Sequence, residues 1–209
     1  MSSILAWYFA PPDKRLAHGD GRLIRVGATH TVDCRPVLCK QGLHASVRPL
    51  DALSYASSPF VFRVRLSGHV AHGVDKCAAT SRKYLVELNA EPLLRDFARK
   101  CAASQLHLWD APPVVRGWLK TGNESLQSSA WSVARSAALS AAESAALSAA
   151  ESVAWSAAES AALSAAESAA LSAAESAAES AARSAARSAQ NKLITRMLLQ
   201  AIRTQKAGG

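Results

Sequence analysis

The chain has 209 residues and a formal net charge of +8, from 24 Lys+Arg against 16 Asp+Glu. Residues 1–124 hold 17 of those basic and 10 of those acidic residues, with all four Cys and all six His, whereas residues 128–189 are almost wholly Ala, Ser, Leu and Glu. A uniform globular chain is thereby excluded, and one small domain carrying a repeat arm is expected, with the basic surplus as a solubility device before it is a nucleic-acid footprint.

In chain order, the opening "MSSILAWYFAPPDKR" lacks the basic flank and long apolar stretch of a secretory signal. Its "ILAWYF" (4–9) reads as a strand stopped by Pro11-Pro12, and "RLIRV" (22–26) as a second strand ending at Gly27. "HGDGR" (18–22) has the glycines of a turn, without the Lys-Ser/Thr and helix of a phosphate loop. "SVRPLDALSYA" (46–56) reads as a short helix entered at Pro49, with Leu50, Leu53 and Ala56 on its apolar face. "FVFRVRL" (60–66) sets Phe62, Val64 and Leu66 against Arg63 and Arg65, the alternation of an antiparallel strand with one wet face. "KYLVEL" (83–88) closes the sheet, and a helix follows over 91–109, with Leu93, Leu94, Phe97 and Cys101 at helical spacing. Asp110 is placed to cap a further turn at Pro112-Pro113, and Gly122-Asn123 breaks the chain.

After Asn123 there is no Gly or Pro until Gly208, and the Ser-Ala-Ala-Leu/Glu repeat is built from residues that favour or tolerate helix. About 80 residues at about 1.5 Å each predict a rod on the order of 120 Å. A Ser every fourth residue and six Glu make it too polar for a bilayer span. Four residues overshoot one helical turn by about 40°, so the large residues (Leu139, Leu147, Trp155, Leu163, Leu171) drift around the rod. That period rules out a left-handed heptad coil and leaves a right-handed assembly or a single helix. The last stretch, "KLITRMLLQAIRTQK" (192–206), has a true amphipathic face of Ile194, Met197, Leu198, Ala201 and Ile202. Self-pairing is the first expectation for it; docking on the head and lying on a membrane surface are the others. The resulting fold class is α+β: a small, mostly antiparallel sheet with short helices, then one very long Ala/Ser-rich helix. The expected boundaries are 1–122 for the head, 123–189 for the repeat helix and 190–209 for the basic tip.

Chemistry-bearing residues cluster weakly. Cys34, Cys39 and His44 are zinc-ligand types, but their spacing is looser than a zinc knuckle, so buried thiols and loop histidines are the plainer reading. His44, Ser46 and Asp51 are triad types whose closeness in sequence is not triad geometry. No metal and no cofactor is expected.

One stretch is more distinctive. "CKQGLHASVRPLDALSYASSPFVFRVRLSG" (39–68) with "DKCAATSRKYLVEL" (75–88) resembles an uncharacterised domain recurrent in bacteriophage and prophage proteins. The matching positions are Cys39, Gly42, Leu43, His44, Pro49, Leu50, Asp51, Tyr55, Gly68, Asp75 and Lys76; Ser46 stands where that family often has Cys. The resemblance implies a phage origin, hence the host cytoplasm, without an activity, and makes His44, Asp51, Asp75 and Lys76 the candidate binding residues. A second segment, Gly-Leu-x-x-Ser followed by Tyr-Ala on a helix, is similar to ADP-ribosyltransferases. That likeness implies Ser46, Tyr55 and the late-strand Glu87 as a catalytic set; otherwise Asp51 caps its helix and Tyr55 packs.

The leading expectation is an accessory protein acting by binding, its head displayed on a helical spacer that also oligomerises through the C-terminal helix. Its expected partner is a protein, with a host factor as the candidate and its identity unread in the sequence. The alternatives are an NAD-using transferase, and a nucleic-acid-binding head.

Overall fold

The computed structural model describes residues 3–16, 21–104, 106, 110–126, 128–130, 132–134, 136 and 165–208, with the side chains of the last helix from Arg183 onward. In chain order the elements are β1 (Ile4–Phe9), β2 (Thr29–Thr31), β3 (Leu43–Ala45), α1 (Pro49–Leu53), β4 (Phe60–His72), β5 (Cys77–Asn89), α2 (Glu91–Ala103), α3 (Pro113–Thr121) and α4 (Ala165–Ala207), with a 3-10 turn at Glu124–Leu126. The protein is thus α+β, an antiparallel five-stranded sheet with short helices and a long C-terminal helix. It divides into two compact units, residues 1–97 with 187–209, and residues 98–186.

The long β4–β5 hairpin is the axis of the first unit. β1 pairs with one edge of it, while β2 and β3 share the other edge, along β5. On β4 the expected alternation holds: Phe62, Val64 and Leu66 are fully buried and Arg65 is exposed, because successive side chains of a strand leave opposite faces. With Ala6, Ile24, Ala45, Cys77, Ala79 and Tyr84 they form the core.

Two register shifts, between Arg63 and Val64 and between Ser67 and Val70, bend the hairpin. Bulges raise twist, and the bent sheet curls until its far edges meet. There Trp7 and Ser46 exchange two backbone hydrogen bonds, Trp7 N–H to Ser46 O at 2.7 Å and Ser46 N–H to Trp7 O at 3.0 Å. This bridge gives β1 a partner on both sides and removes an edge that would otherwise present unpaired groups.

Several expectations need correction. Residues 22–26 form no strand; Leu23 makes one bridge to Arg15, while Ile24 alone turns into the core. β2 and β3, each of three residues, lie in stretches for which no strand is expected. β4 does not end near Gly68 but runs through it to His72, and β5 begins at Cys77 instead of 83. In α1 the buried residues are Pro49, Asp51 and Ala52, not Leu50, Leu53 and Ala56. Asp51 does not cap α1; the N-cap is Arg48 and makes no side-chain cap bond.

The C-terminal tip belongs to the first unit. Ile194 and Leu198 are fully buried and Ile202 nearly so, the i, i+4, i+8 stripe of the expected amphipathic face. Two contacts fasten it to α1: Arg187 donates to the buried Asp51 carboxylate at 2.8 Å, and Leu50 N–H donates to Asn191 Oδ1 at 3.2 Å. The face expected to pair with a second copy is therefore already covered within the chain.

In the second unit, α3 packs through Val115 and Leu119 with Ala111 and Ala130. Its end at Gly122 takes the left-handed conformation (φ 68°), and Arg99 donates to the terminal carbonyls of Leu119 (2.7 Å) and Lys120 (3.3 Å), a cation placed where a helix accumulates negative charge. Asp110 does not cap this helix; Pro112 holds that position, and Asp110 pairs with Arg116. α4 spans 43 residues, about 65 Å. The repeat positions Leu139 to Leu163 and the turn residues His18–Asp20 lie outside the described residues.

Candidate functional site

The curled sheet leaves a cavity of about 700 Å³ beside the Trp7–Ser46 seam. β1 supplies Trp7, Tyr8 and Phe9; residues 39–46 form a second wall; Ala52 and Tyr55, in and just after α1, form a third, with Lys76 at the hairpin turn. The volume is that of a small-molecule site, and most of the lining is apolar or aromatic. Its charged members are Arg22, Lys40 and Lys76; no Asp or Glu is among the lining residues.

The rim is a connected polar cluster. Tyr55, 51% exposed and so not the packed residue of the plainer reading, donates its hydroxyl hydrogen bond to Asp75 Oδ2. That bond holds the Asp75 carboxyl below its ordinary pKa range. Lys76 stands 4.2 Å over the Tyr55 ring, and the neighbouring Tyr55 and Cys39 side chains push its pKa up. His44 Nε2 accepts the Cys39 N–H at 3.2 Å. Beneath, Arg48 links Asp51 (2.5 Å) to the carbonyl of Val74 (3.0 Å), so a carboxylate of 2% exposure steadies the turn that carries Asp75 and Lys76.

The floor rests on a buried cation. Arg82 is 2% exposed. Tyr84 Oη accepts two of its N–H groups, at 3.0 and 2.8 Å, His44 O accepts a third at 2.5 Å, and the guanidinium stacks 3.8 Å over the Tyr8 ring. With both donors from Arg82 pointing at it, the phenol sends its own proton to His30 Nδ1, 3.1 Å away. Among the described residues no carboxylate pairs with Arg82, so its charge is balanced only by dipoles and ring faces. Burial pushes the Tyr84 hydroxyl pKa up, against the pull of Arg82. Arg82 fixes Tyr8 and the His44 carbonyl, two parts of the cavity wall, and adds a positive field behind them.

Of the residues singled out in the sequence, His44, Asp75 and Lys76 lie at this rim, with Asp51 behind them, joined by Arg48 to the carbonyl of Val74. Ser46 and Tyr55 line the same cavity. Glu87 does not; it is ion-paired to Lys14 on the core side of β5, opposite Phe62. Cys34 opens into a different groove, with His69 and Thr80, and among the described residues no three His, Cys, Asp or Glu side chains are gathered for a metal ion. The zinc set Cys34, Cys39 and His44 is not assembled.

Three other basic residues are used singly. Arg82 is buried, Arg95 pairs with Glu91, and Arg99 holds the end of α3. Arg82, Tyr84, His30, Tyr8 and Arg22 escaped the sequence reading. The available signal was alternation in "SRKYL": with Tyr84 inside and Lys83 outside, Arg82 must be inside.

Among the described residues, no helix is long and apolar enough to cross a membrane. Neither a curated protein nor a solved structure matches the chain. Residues 20–96, which hold the whole rim cluster and the Arg82–Tyr84 floor, match the family model described as a Domain of unknown function (DUF7666).

Proposed function

We propose that the chain is a binding protein whose head takes an anionic ligand with an apolar body. The observation that carries this reading is the lining of the cavity: three cations, no carboxylate, and walls of Trp7, Tyr8, Phe9 and Leu43. An aromatic or aliphatic body buries its surface on those walls, and Arg22, Lys40 and Lys76 orient the charged end. The Ala/Ser-rich arm serves as spacer and oligomerisation element, and joint engagement of several heads raises apparent affinity. A phage or prophage origin, with action on a partner in the host cytoplasm, belongs to the same reading and rests on the sequence resemblance from Cys39 to Lys76.

Anilinonaphthalene sulfonate and its uncharged relative phenylnaphthylamine test the ligand class. The sulfonate is expected to bind saturably, one per chain, and more weakly as salt is added. Replacing Lys40→Gln and Lys76→Gln together should weaken it roughly five- to tenfold, since an exposed charge contributes about 0.2–1 kcal/mol. Equal binding of the neutral compound, or no change in the double variant, would sink the proposal.

A second reading, an NAD-using transferase, is favoured by Ser46 and Tyr55 lining one cavity. Its acid is misplaced, because Glu87 is held by Lys14 and is not among the lining residues. If that reading were right, Glu87→Gln would abolish NAD turnover; the binding reading expects no turnover to lose.

A further inference from the structure

The C-terminal tip buries one face of α4 and leaves another that the cavity does not use. From Ser180 to Gly209 the chain has six Lys or Arg and no Asp or Glu. Arg187 is tied to Asp51. Lys192, Arg196, Arg203 and Lys206 follow one another at intervals of four, seven and three residues, and all four are exposed. At about 100° per residue they fall within about 80° of one another, a straight row about 21 Å long. The stripe of Ile194, Leu198 and Ile202, buried in the first unit, is centred about 120° around the helix. Arg187 and Asn191 lie on that buried side and hold it to α1, so the row of cations faces solvent.

Among the described residues no carboxylate pairs with any of the four. Like charges three and four residues apart on a helix repel, and here nothing within the chain offsets that cost. A groove of about 490 Å³ runs beside the row, lined by Lys192, Arg196 and Arg203 with Asn191, Thr195 and Gln200. The face is therefore complementary to a polyanion, and three kinds present themselves. A membrane-surface helix inserts its apolar side, but that side is already buried. A protein interface needs apolar or aromatic anchors at its centre, and the row offers only Leu199, half-buried. A second copy's arm does not fit either: on α4, Glu167, Glu175 and Glu179 spread over about 120° and make no straight row. A nucleic-acid backbone needs charge alone.

We infer that the outward face of α4 from Lys192 to Lys206 is a nucleic-acid interface that holds the phosphate backbone without reading sequence. A duplex carries one phosphate per strand for about every 3.4 Å of its axis, so a 21 Å row spans about six phosphates of one strand. Each of the four cations finds a phosphate there and releases a condensed counterion. Contacts of this kind position a protein on nucleic acid and carry no sequence information. The inference rests on the tip alone and is independent of the cavity reading above.

The test titrates the full-length protein into a fluorescently labelled duplex of about 20 base pairs and follows anisotropy as salt rises from about 20 to 80 mM. Four phosphate contacts give a slope of about −3.6 in log K against log salt, so affinity should fall roughly 150-fold over that range. Arg196→Gln with Arg203→Gln removes two contacts, and the same rise in salt should then cost only roughly tenfold. Lys192→Gln with Lys206→Gln should do the same. Neither pair lines the cavity, so melting temperature and the binding of anilinonaphthalene sulfonate should stay as in the parent. Polyglutamate of matched total charge should bind at least about tenfold more weakly, its charges being sparser than the duplex's one per about 1.7 Å. No binding to the duplex at the lowest salt, or an unchanged slope in double variants that melt like the parent, overturns the interface and leaves the cavity reading intact. Equal binding of polyglutamate, or tighter capture by phosphatidylserine vesicles than by the duplex, overturns the assignment to nucleic acid.

Discussion

Gly68 shows at the scale of one residue how β4 runs past the point where its sequence suggests an end. Its φ is 79°, and a Cβ there would meet Thr80 Oγ1 at 2.0 Å, the atom that accepts the His69 N–H at 3.1 Å. Glycine therefore makes the second bulge of the hairpin. Gly68→Ala should destabilise the protein by about 1–3 kcal/mol, read as a lower urea midpoint. A midpoint unchanged by the substitution would show that the bulge adapts.

Tyr84 supplies a second residue-scale prediction. Burial holds its hydroxyl above the ordinary value of 10.0. A raised folded pKa contributes stability that is complete below the unfolded value and is lost as pH rises through the folded one. Stability should thus be flat in this group's contribution near neutrality and fall above about pH 10. Tyr84→Phe should flatten that alkaline decline. It should also cost about 1.5–3 kcal/mol at pH 7, because Arg82 loses the oxygen that takes two of its N–H groups. Urea titrations of both proteins from pH 7 to 11 read both effects. At the opposite end, the lowered pKa of Asp75 gives a contribution present above the unfolded carboxylate value and lost as pH falls through the folded one.

Between elements, the decisive joint is α1 with the end of α4. Asp51 accepts from Arg48 and Arg187, and both arginines keep about half of their side chains in water, so the worth of the pair is positional more than energetic. Asp51→Asn should leave the sheet folded while residues 187–207 exchange their amide hydrogens faster. Unaltered exchange there would mean that Asn191 and the apolar stripe suffice. The stripe carries the energy: Leu198 is fully buried, and Leu198→Ala should cost about 2–5 kcal/mol in chemical denaturation. The same joint reaches the site, since Arg48 also holds Val74 O in the hairpin turn beside Asp75 and Lys76.

For the whole molecule, much was readable in the residues themselves. The change from an ordinary composition to an Ala, Ser, Leu and Glu repeat is plain in the sequence, but the two compact units do not divide there: residues 98–186 form one, and 187–209 join residues 1–97. The β4 faces, the entry of α1 at Pro49 and the amphipathic stripe 194–198–202 follow from periodicity, which is a property of local geometry. Even the rim of the site was in view as Cys39, His44, Tyr55, Asp75 and Lys76, though as a pattern with no shape. What pairs with what was decided in three dimensions. β2 and β3 are too short to show a period and exist only because β5 offers its edge. The Trp7–Ser46 seam, which makes the cavity, depends on the twist accumulated at two bulges. Alternation turns Arg82 inward, but what makes that burial tolerable was decided in three dimensions: a phenol, a carbonyl and a ring face converge on it from separate strands, and no local pattern encodes that convergence.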